Sequence, residues 1–337
     1  MQYSPLRYPG GKRRLASFVG RILDANGLRD IQYVEPYAGG AAIGLALLFE
    51  GRAKIIHLND LDRAVYAFWY AALNKTSHLC SRIEKTPISM EQWRKQRAIY
   101  NAKESSGFLD LGFATLFLNR TNRSGILSGG AIGGTEQAGT WHLDARFNKQ
   151  EVITRIQRIA QYKTRIRLYQ EDAQGFIQRV VPELGDDSFI FFDPPYIKKG
   201  DTLYLNNYGL DDHRALARSI SGIDKPWLVT YDIDAAKNGL FPSHRRLVYS
   251  LSYSAYNRYR GKEVMFFSDR LVIPAEWRTG EVLVTADEGP SAVFGRIQNM
   301  PFNGQMDEGP LAARRFEEAV RALLSPDRRT TKTSAGG

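Results

Sequence analysis

Short apolar segments alternate with helix-forming ones along most of this chain, and that alternation limits the folds open to it. Strand-like runs occupy 31–35, 54–58, 165–169, 188–192, 227–231, 246–252 and 263–268. Helical patterns at 41–49, 61–73, 173–180 and 212–220 lie between them. A strand that feeds a helix cannot reverse on a tight turn, so its successor pairs in parallel and the helix packs on a sheet face. The expectation is an α/β fold whose mostly parallel sheet is covered on both faces. The last two runs are joined by a short polar loop, and one of them is expected to run antiparallel.

The segment 81–148 breaks the rhythm. Helical patterns at 90–104 and 109–120 lead into 121–140, which has too many glycines for a helix and too few apolar side chains for a core. It reads as an inserted, mainly helical and loop-rich lobe dividing a main domain made of 1–80 and 149–273. After 274 the alternation stops. One further helix is expected at 310–324, and a polar, mobile end at 325–337.

Composition removes several classes of function. Cys80 is the single cysteine, which rules out an intramolecular disulfide and a cysteine zinc site. His57, His78, His142, His213 and His244 are scattered without metal-ligand spacing, so no metal is expected. No apolar run has the length of a membrane span, and no apolar block follows the basic N-terminal residues as in a signal peptide. A cytoplasmic protein is expected. Lys and Arg number 46 against 36 Asp and Glu, a formal charge of +10. That excess suits a polyanionic partner, and equally a basic enzyme with no nucleic-acid role.

Three segments carry chemistry. Arg7-Tyr8-Pro-Gly-Gly-Lys12 joins a turn that lets the backbone approach a ligand to a lysine that could meet an anion; an ordinary turn with a solvated lysine reads as well. Glu35-Pro-Tyr37-Ala-Gly39-Gly40 follows the first strand and opens a helix, where small residues bring helix N–H groups toward a ligand. Asp60 ends the second strand, 20 residues beyond Gly40, where an acid commonly accepts ribose hydroxyls. Strand, glycines, helix, strand and acid in that order point to a nucleoside-bearing cofactor. The competing reading makes Asp60 an N-cap for the next helix.

The most specific segment is Asp193-Pro194-Pro195-Tyr196, after the wholly apolar strand 188–192. Paired prolines stiffen the loop and leave carbonyls without a competing N–H. A carboxylate, such a carbonyl and an aromatic face together suit a planar ring bearing an exocyclic amino group, which donates two hydrogen bonds while the ring stacks. A rigid Asp-capped turn is the plainer alternative.

Taken in order, Tyr8-Pro-Gly-Gly-Lys12, Glu35-Pro-Tyr-Ala-Gly-Gly40, Phe117-Leu-Asn-Arg-Thr-Asn-Arg-Ser-Gly125 and Asp193-Pro-Pro-Tyr196 resemble the motifs of Dam-type DNA adenine methylases, over roughly 1–270. The resemblance implies a Rossmann-like, seven-stranded methyltransferase sheet with one antiparallel strand, and an inserted DNA-recognition lobe. It implies methyl transfer from S-adenosylmethionine to the 6-amino group of an adenine flipped out of double-stranded DNA. Tyr8, Lys12, Glu35, Tyr37, Gly39, Gly40, Asp60, Asp172 and Asp193 then fall on cofactor-binding positions, and Asp193, Pro194, Pro195 and Tyr196 on the catalytic tetrapeptide. The chain departs from the pattern at Ala41, where a second glycine is expected.

DNA contacts are expected from Arg120, Arg123 and Ser124, from Lys198 and Lys199 after the catalytic loop, and from Arg258, Arg260 and Lys262 between the closing strands. For each basic residue a solvated surface charge is the alternative, and for Arg120 a structural role at a helix end. The same cofactor chemistry would serve an RNA adenine, a cytosine or a protein amide, and an inactive DNA-binding relative would keep the fold. A companion restriction endonuclease would be a second partner if the enzyme serves restriction–modification rather than phage defence or regulation.

Overall fold

The structure is a computed structural model and describes residues 3–7, 13–197, 208–253, 259–274 and 282–284. Its strands are β1 (Ile31–Glu35), β2 (Ala53–Asn59), β3 (Ile166–Tyr169), β4 (Ser188–Phe192), β5 (Trp227–Asp232), β6 (Arg246–Tyr253), β7 (Tyr259–Phe267) and β8 (Val282–Val284). They form one sheet in the order β3-β2-β1-β4-β5-β7-β6-β8. From β3 to β5 every pairing is parallel, with Tyr33 opposite Ile56 on one side and Phe189 on the other. β7 runs antiparallel to both β5 and β6. The seven expected strands are therefore present, with β7 the reversed one, and β8 adds a three-residue antiparallel edge beside β6.

The alternation of side chains across the sheet accounts for its burial. Every residue of β4 is buried. Phe189 and Phe191 enter one apolar layer, and Ile190 and Phe192 enter the other, because successive strand residues face opposite sides. The first layer is closed by α1 (Arg13–Ala25), α2 (Ala42–Phe49), α3 (Arg63–Asn74), α4 (Thr76–Lys85) and α7 (Lys149–Gln161). The second is closed by α8 (Ala173–Arg179), α9 (Leu210–Ser221) and α10 (Ile233–Lys237). Each large side chain removed from water in these layers contributes about 1.5–3 kcal/mol. The strongly apolar central strands are thus fixed in both position and register.

Within 81–148, α5 (Met90–Asn101) and α6 (Phe108–Thr121) lead into glycine-rich turns. α6 carries Phe113, Leu116 and Phe117 into the first apolar layer. It also crosses α3 closely, and the Thr115 hydroxyl donates to the Ala64 carbonyl at 3.1 Å. Among the described residues no helix is long and apolar enough to cross a membrane.

Candidate active site at the carboxyl edge of the sheet

β1 lies between β2 and β4, so the chain direction of travel across the sheet reverses there. In open α/β sheets the crevice at such a reversal, outside the carboxyl ends of the strands, is where ligands bind. The turns after β1 and β4 meet at this point, and those after β2 and β3 continue the same edge. β2 and β4 are each one strand from β1, which sets their ends about 10 Å apart.

The turn after β1 is held from several sides. Glu35 is buried, and its Oε1 accepts from the Tyr33 hydroxyl and the Gly44 N–H, both at 3.0 Å. This ties the end of β1 to the first turn of α2. Gly39 has φ 46° and Ala41 has φ 47°, both left-handed. Ala41 therefore occupies a conformation glycine would adopt more easily, at a cost of about 1–2 kcal/mol. Ala41 is 1% exposed, so its methyl group lies inside the turn. The Trp69 indole donates to the Gly39 carbonyl at 2.9 Å, and Gly40 completes the turn.

Asp60 closes the β2 side. Its Oδ2 accepts the Gly39 N–H at 2.9 Å and its Oδ1 accepts the Asp62 N–H at 3.0 Å. Burial, reinforced by the Asp62 carboxylate, pushes its pKa up to about 7 against those two hydrogen bonds. The N-cap of α3 is Asp62, which accepts from Ala64 N–H at 3.0 Å, so Asp60 is not the helix cap. Asn59, which the motifs do not mark, joins three loops: its amide donates to the Pro36 and Glu171 carbonyls and its Oδ1 accepts from Glu171 N–H, each at 3.0 Å.

At the end of β3, Asp172 caps α8 through Gln174 N–H at 2.9 Å, and its other oxygen meets the Tyr208 hydroxyl at 3.4 Å. Tyr37 lies among the same groups. Burial, with Tyr208, Tyr231 and Asp172 nearby, holds its phenol well above its ordinary pKa, so it stays neutral.

Asp193 emerges from β4 half-buried, followed by buried Pro194 and Pro195. The Thr230 hydroxyl, on β5 and fully buried, donates to Asp193 Oδ1 at 2.8 Å and approaches the Phe192 carbonyl at 3.3 Å. Thr230 thereby orients the carboxylate from the neighbouring strand. The sequence gives no local sign of this, because the contact depends on the pairing of Phe192 with Val229. Tyr196 is 8% exposed and its ring belongs to the second apolar layer rather than standing open at the surface.

The run 117–125 has a largely internal role. Asn119 is buried and grips the N-terminal segment: it accepts from Arg7 N–H and donates to the Arg7 carbonyl, both at 2.7 Å, and to the Gly125 carbonyl at 2.9 Å. Arg120, for which a DNA contact and a structural role at a helix end were both expected, has a structural role here. It is 6% exposed, and its guanidinium donates to the Pro5 and Arg146 carbonyls. Burial, with repulsion from Arg155 and Arg7, lowers its pKa to about 10.

Arg123 remains exposed, and Ser124 sits in a left-handed turn with φ 55°. Behind this turn Trp93 donates to Asn122 Oδ1 at 2.7 Å, and Arg97 donates to the Leu127 and Gly129 carbonyls. The exposed loop is thus braced from α5.

Arg260 and Lys262 belong to β7, paired opposite Ser252 and Ser250, which corrects their placement in a loop. The polar stretch reads as loop because this end of the hairpin lacks apolar alternation. Tyr8, Lys12, Lys198, Lys199, Arg258 and the helix expected at 310–324 lie outside the described residues. Among the described residues no group of three or more His, Cys, Asp or Glu could hold a metal ion.

A family model described as D12 class N6 adenine-specific DNA methyltransferase matches residues 8–263. No curated protein matches the chain. Among solved structures, a Pyrococcus horikoshii protein with a provisional RNA-methyltransferase name aligns at TM-score 0.38 and 9% identity, over 77% of this chain and 86% of that one. The rRNA methyltransferase aviRa of Streptomyces viridochromogenes aligns at TM-score 0.37 and 14% identity, over 77% and 86%. Likenesses this distant carry no argument about substrate.

Proposed function

Because the chain belongs to the D12 class of N6 adenine-specific DNA methyltransferases, we propose that it methylates the 6-amino group of an adenine flipped from duplex DNA, at the carboxyl edge of its sheet. The observation that supports this most is the juxtaposition of two turns at the sheet's reversal point. One carries Asp193-Pro-Pro-Tyr196 and the other the left-handed turn through Gly39 and Ala41.

The residues present fit S-adenosylmethionine. Asp60 offers a carboxylate whose orientation is fixed by two backbone N–H groups, suited to ribose hydroxyls. Tyr37 and Gly39 would flank the donor on the β1 side, and Asp172 would meet its adenine on the β3 side. Glu35 would act by holding the turn's shape. When bound, the cofactor supplies a methyl group already activated on a sulfonium.

The protein's own contribution is alignment and charge. An aromatic amine is a poor nucleophile because its lone pair is shared with the ring. Asp193 and the Pro194 carbonyl would accept its two N–H bonds, localising the lone pair and stabilising positive charge as it develops on nitrogen. The proton released can leave along the Asp193 hydrogen bond to water. Thr230 keeps Asp193 in one orientation without neutralising it. Extruding the base costs a few kcal/mol, part of which stacking on Tyr196 would offset once the ring is uncovered.

The test is incubation with isotopically labelled S-adenosylmethionine and duplex DNA, RNA and protein acceptors in competition, followed by separation and digestion of the nucleic acids to nucleosides. The expected product is N6-methyladenosine in its deoxy form. Label confined to RNA, cytosine or protein would reject the reading.

A further inference from the structure

Arg7 is held near Arg146, and Arg146 lies beside Trp141; the catalytic edge uses none of the three. The buried Arg120 assembles the group: one of its N–H groups reaches Pro5 and another the Arg146 carbonyl at 3.3 Å. Residues 5–7 are thereby drawn against the turn 143–146. Arg7 comes close enough to Arg146 that their charges repel, and its pKa is lowered by burial and by that repulsion. Among the described residues neither arginine forms a salt bridge; the Arg7 guanidinium donates to the Asn122 carbonyl at 3.4 Å, and the exposed Asp144, on the same turn as Arg146, does not pair with it. Two like charges held together without a counter-charge leave room for an external anion.

Trp141 adds an aromatic surface to this face. It is 66% exposed, and the Arg146 guanidinium lies 5.9 Å from its ring centroid. Its display is built into the fold. The backbone at Trp141 packs on Gly133, where an added Cβ would meet the Trp141 carbonyl at 2.7 Å. Gln137 fixes the same loop by donating to the Ile132 and Gly134 carbonyls at 2.7 Å and accepting from Leu143 N–H at 3.0 Å. A large ring held out on an ordered loop loses little entropy on contact.

We propose that Arg7, Arg146 and Trp141 form a DNA-backbone contact face, with the two arginines meeting a phosphate and Trp141 packing against an adjoining deoxyribose. The proposal rests on the DNA-methylation reading for its choice of polyanion. Charge complementarity favours phosphate, whose oxygens accept from the paired N–H groups of two arginines. Arg7 also leads directly into Tyr8-Pro-Gly-Gly-Lys12.

The test is binding of a fluorescent duplex, followed by anisotropy over a range of salt, using the full chain and the variants Arg146→Ala and Trp141→Ala. Both side chains are exposed, and Arg120 is bonded to the backbone of Arg146, so both variants keep the fold. Lys163→Ala, an exposed lysine just beyond the far end of α7, a helix about 20 Å long, is the control. Arg146→Ala is expected to weaken binding about three- to tenfold at about 0.1 M salt and to reduce the salt slope by about one, equally for unrelated sequences. Trp141→Ala is expected to weaken binding with an unchanged slope.

Affinity and slope matching the Lys163→Ala control would overturn the proposal. So would a loss restricted to one base sequence, or tighter Arg146-dependent binding of duplex RNA. The readout needs no methyl transfer. Arg146-dependent DNA binding by a protein that methylates no DNA would reject the proposed function and leave this face standing. Methylation of DNA with Arg146 silent would do the reverse.

Discussion

Asp60 and Thr230 show how much of the chemistry rests on single atoms. The Asp60 pKa of about 7 lies above the carboxylate range of an unfolded chain, about 3.9. The folded protein therefore binds this proton more readily than the unfolded one. The stability linked to it is fully present below about pH 4 and is lost as pH rises through about 7. Thermal unfolding followed from pH 4 to 8 should show a steeper fall for the wild type than for Asp60→Asn, and parallel profiles would contradict the assignment.

Thr230→Val keeps the shape of the residue and removes the donor to Asp193 Oδ1. A lost hydrogen bond to a charged group is worth about 1.5–3 kcal/mol. Expressed in turnover, kcat should drop roughly tenfold or more with little change in KM, and Thr230→Ser should restore most of it. An unchanged kcat for Thr230→Val would remove Thr230 from the mechanism. Asp193 and Asp60 can be read from the sequence because each ends a strand and opens a distinctive loop. Asn59 and Thr230 cannot, since their partners lie on other strands or loops.

Helix packing supplies a second kind of constraint. α6 crosses α3 so closely at Gly112 that an added Cβ would meet the Ala67 carbonyl oxygen at 2.5 Å and the Ala71 Cβ at 2.9 Å. Alanine in place of glycine raises helix propensity by about 1 kcal/mol, but forcing atoms into a packed crossing typically costs about 1–3 kcal/mol. With backbone as the obstacle the clash should win. Gly112→Ala is expected to lower stability by about 1–2 kcal/mol in chemical denaturation, and equal or greater stability would refute the tight crossing.

The central strands were readable because a segment buried on both faces is almost wholly apolar, as in β4, where four of the five residues are Phe or Ile. The helices α1, α4 and α7 escaped for different reasons. α4 buries only Leu79, Cys80 and Ile83, too short a stripe to stand out. α7 has Val152, Ile153, Ile156 and Ile159 at helical spacing, but follows the glycine-rich segment, where strand alternation offers no frame. α1 follows the basic turn motif, whose Lys-Arg-Arg run hides the start of an amphipathic helix.

For the whole molecule, one sheet edge gathers the ends of four parallel strands, and each contributes a different group: Tyr37, Asp60, Asp172 and Asp193. The segment after α6 is braced against the N-terminal strap by Asn119, so the loop expected to face DNA and the motif expected to face the cofactor share a support. This arrangement suits a reaction whose two substrates must meet in line. It also explains why Arg120, an attractive DNA contact in the sequence, is buried: its charge is spent on joining the two segments.

The central claim is that Asp193 at the end of β4 presents an adenine amino group for methylation. The most direct measurement is the single-turnover rate of methyl transfer to duplex DNA, comparing wild type with Asp193→Ala at matched folding and matched cofactor binding. The account predicts N6-methylated adenine from the wild type and a loss of at least a hundredfold, on the order of 3 kcal/mol, in the variant. A variant that methylates adenine at the wild-type rate would contradict it.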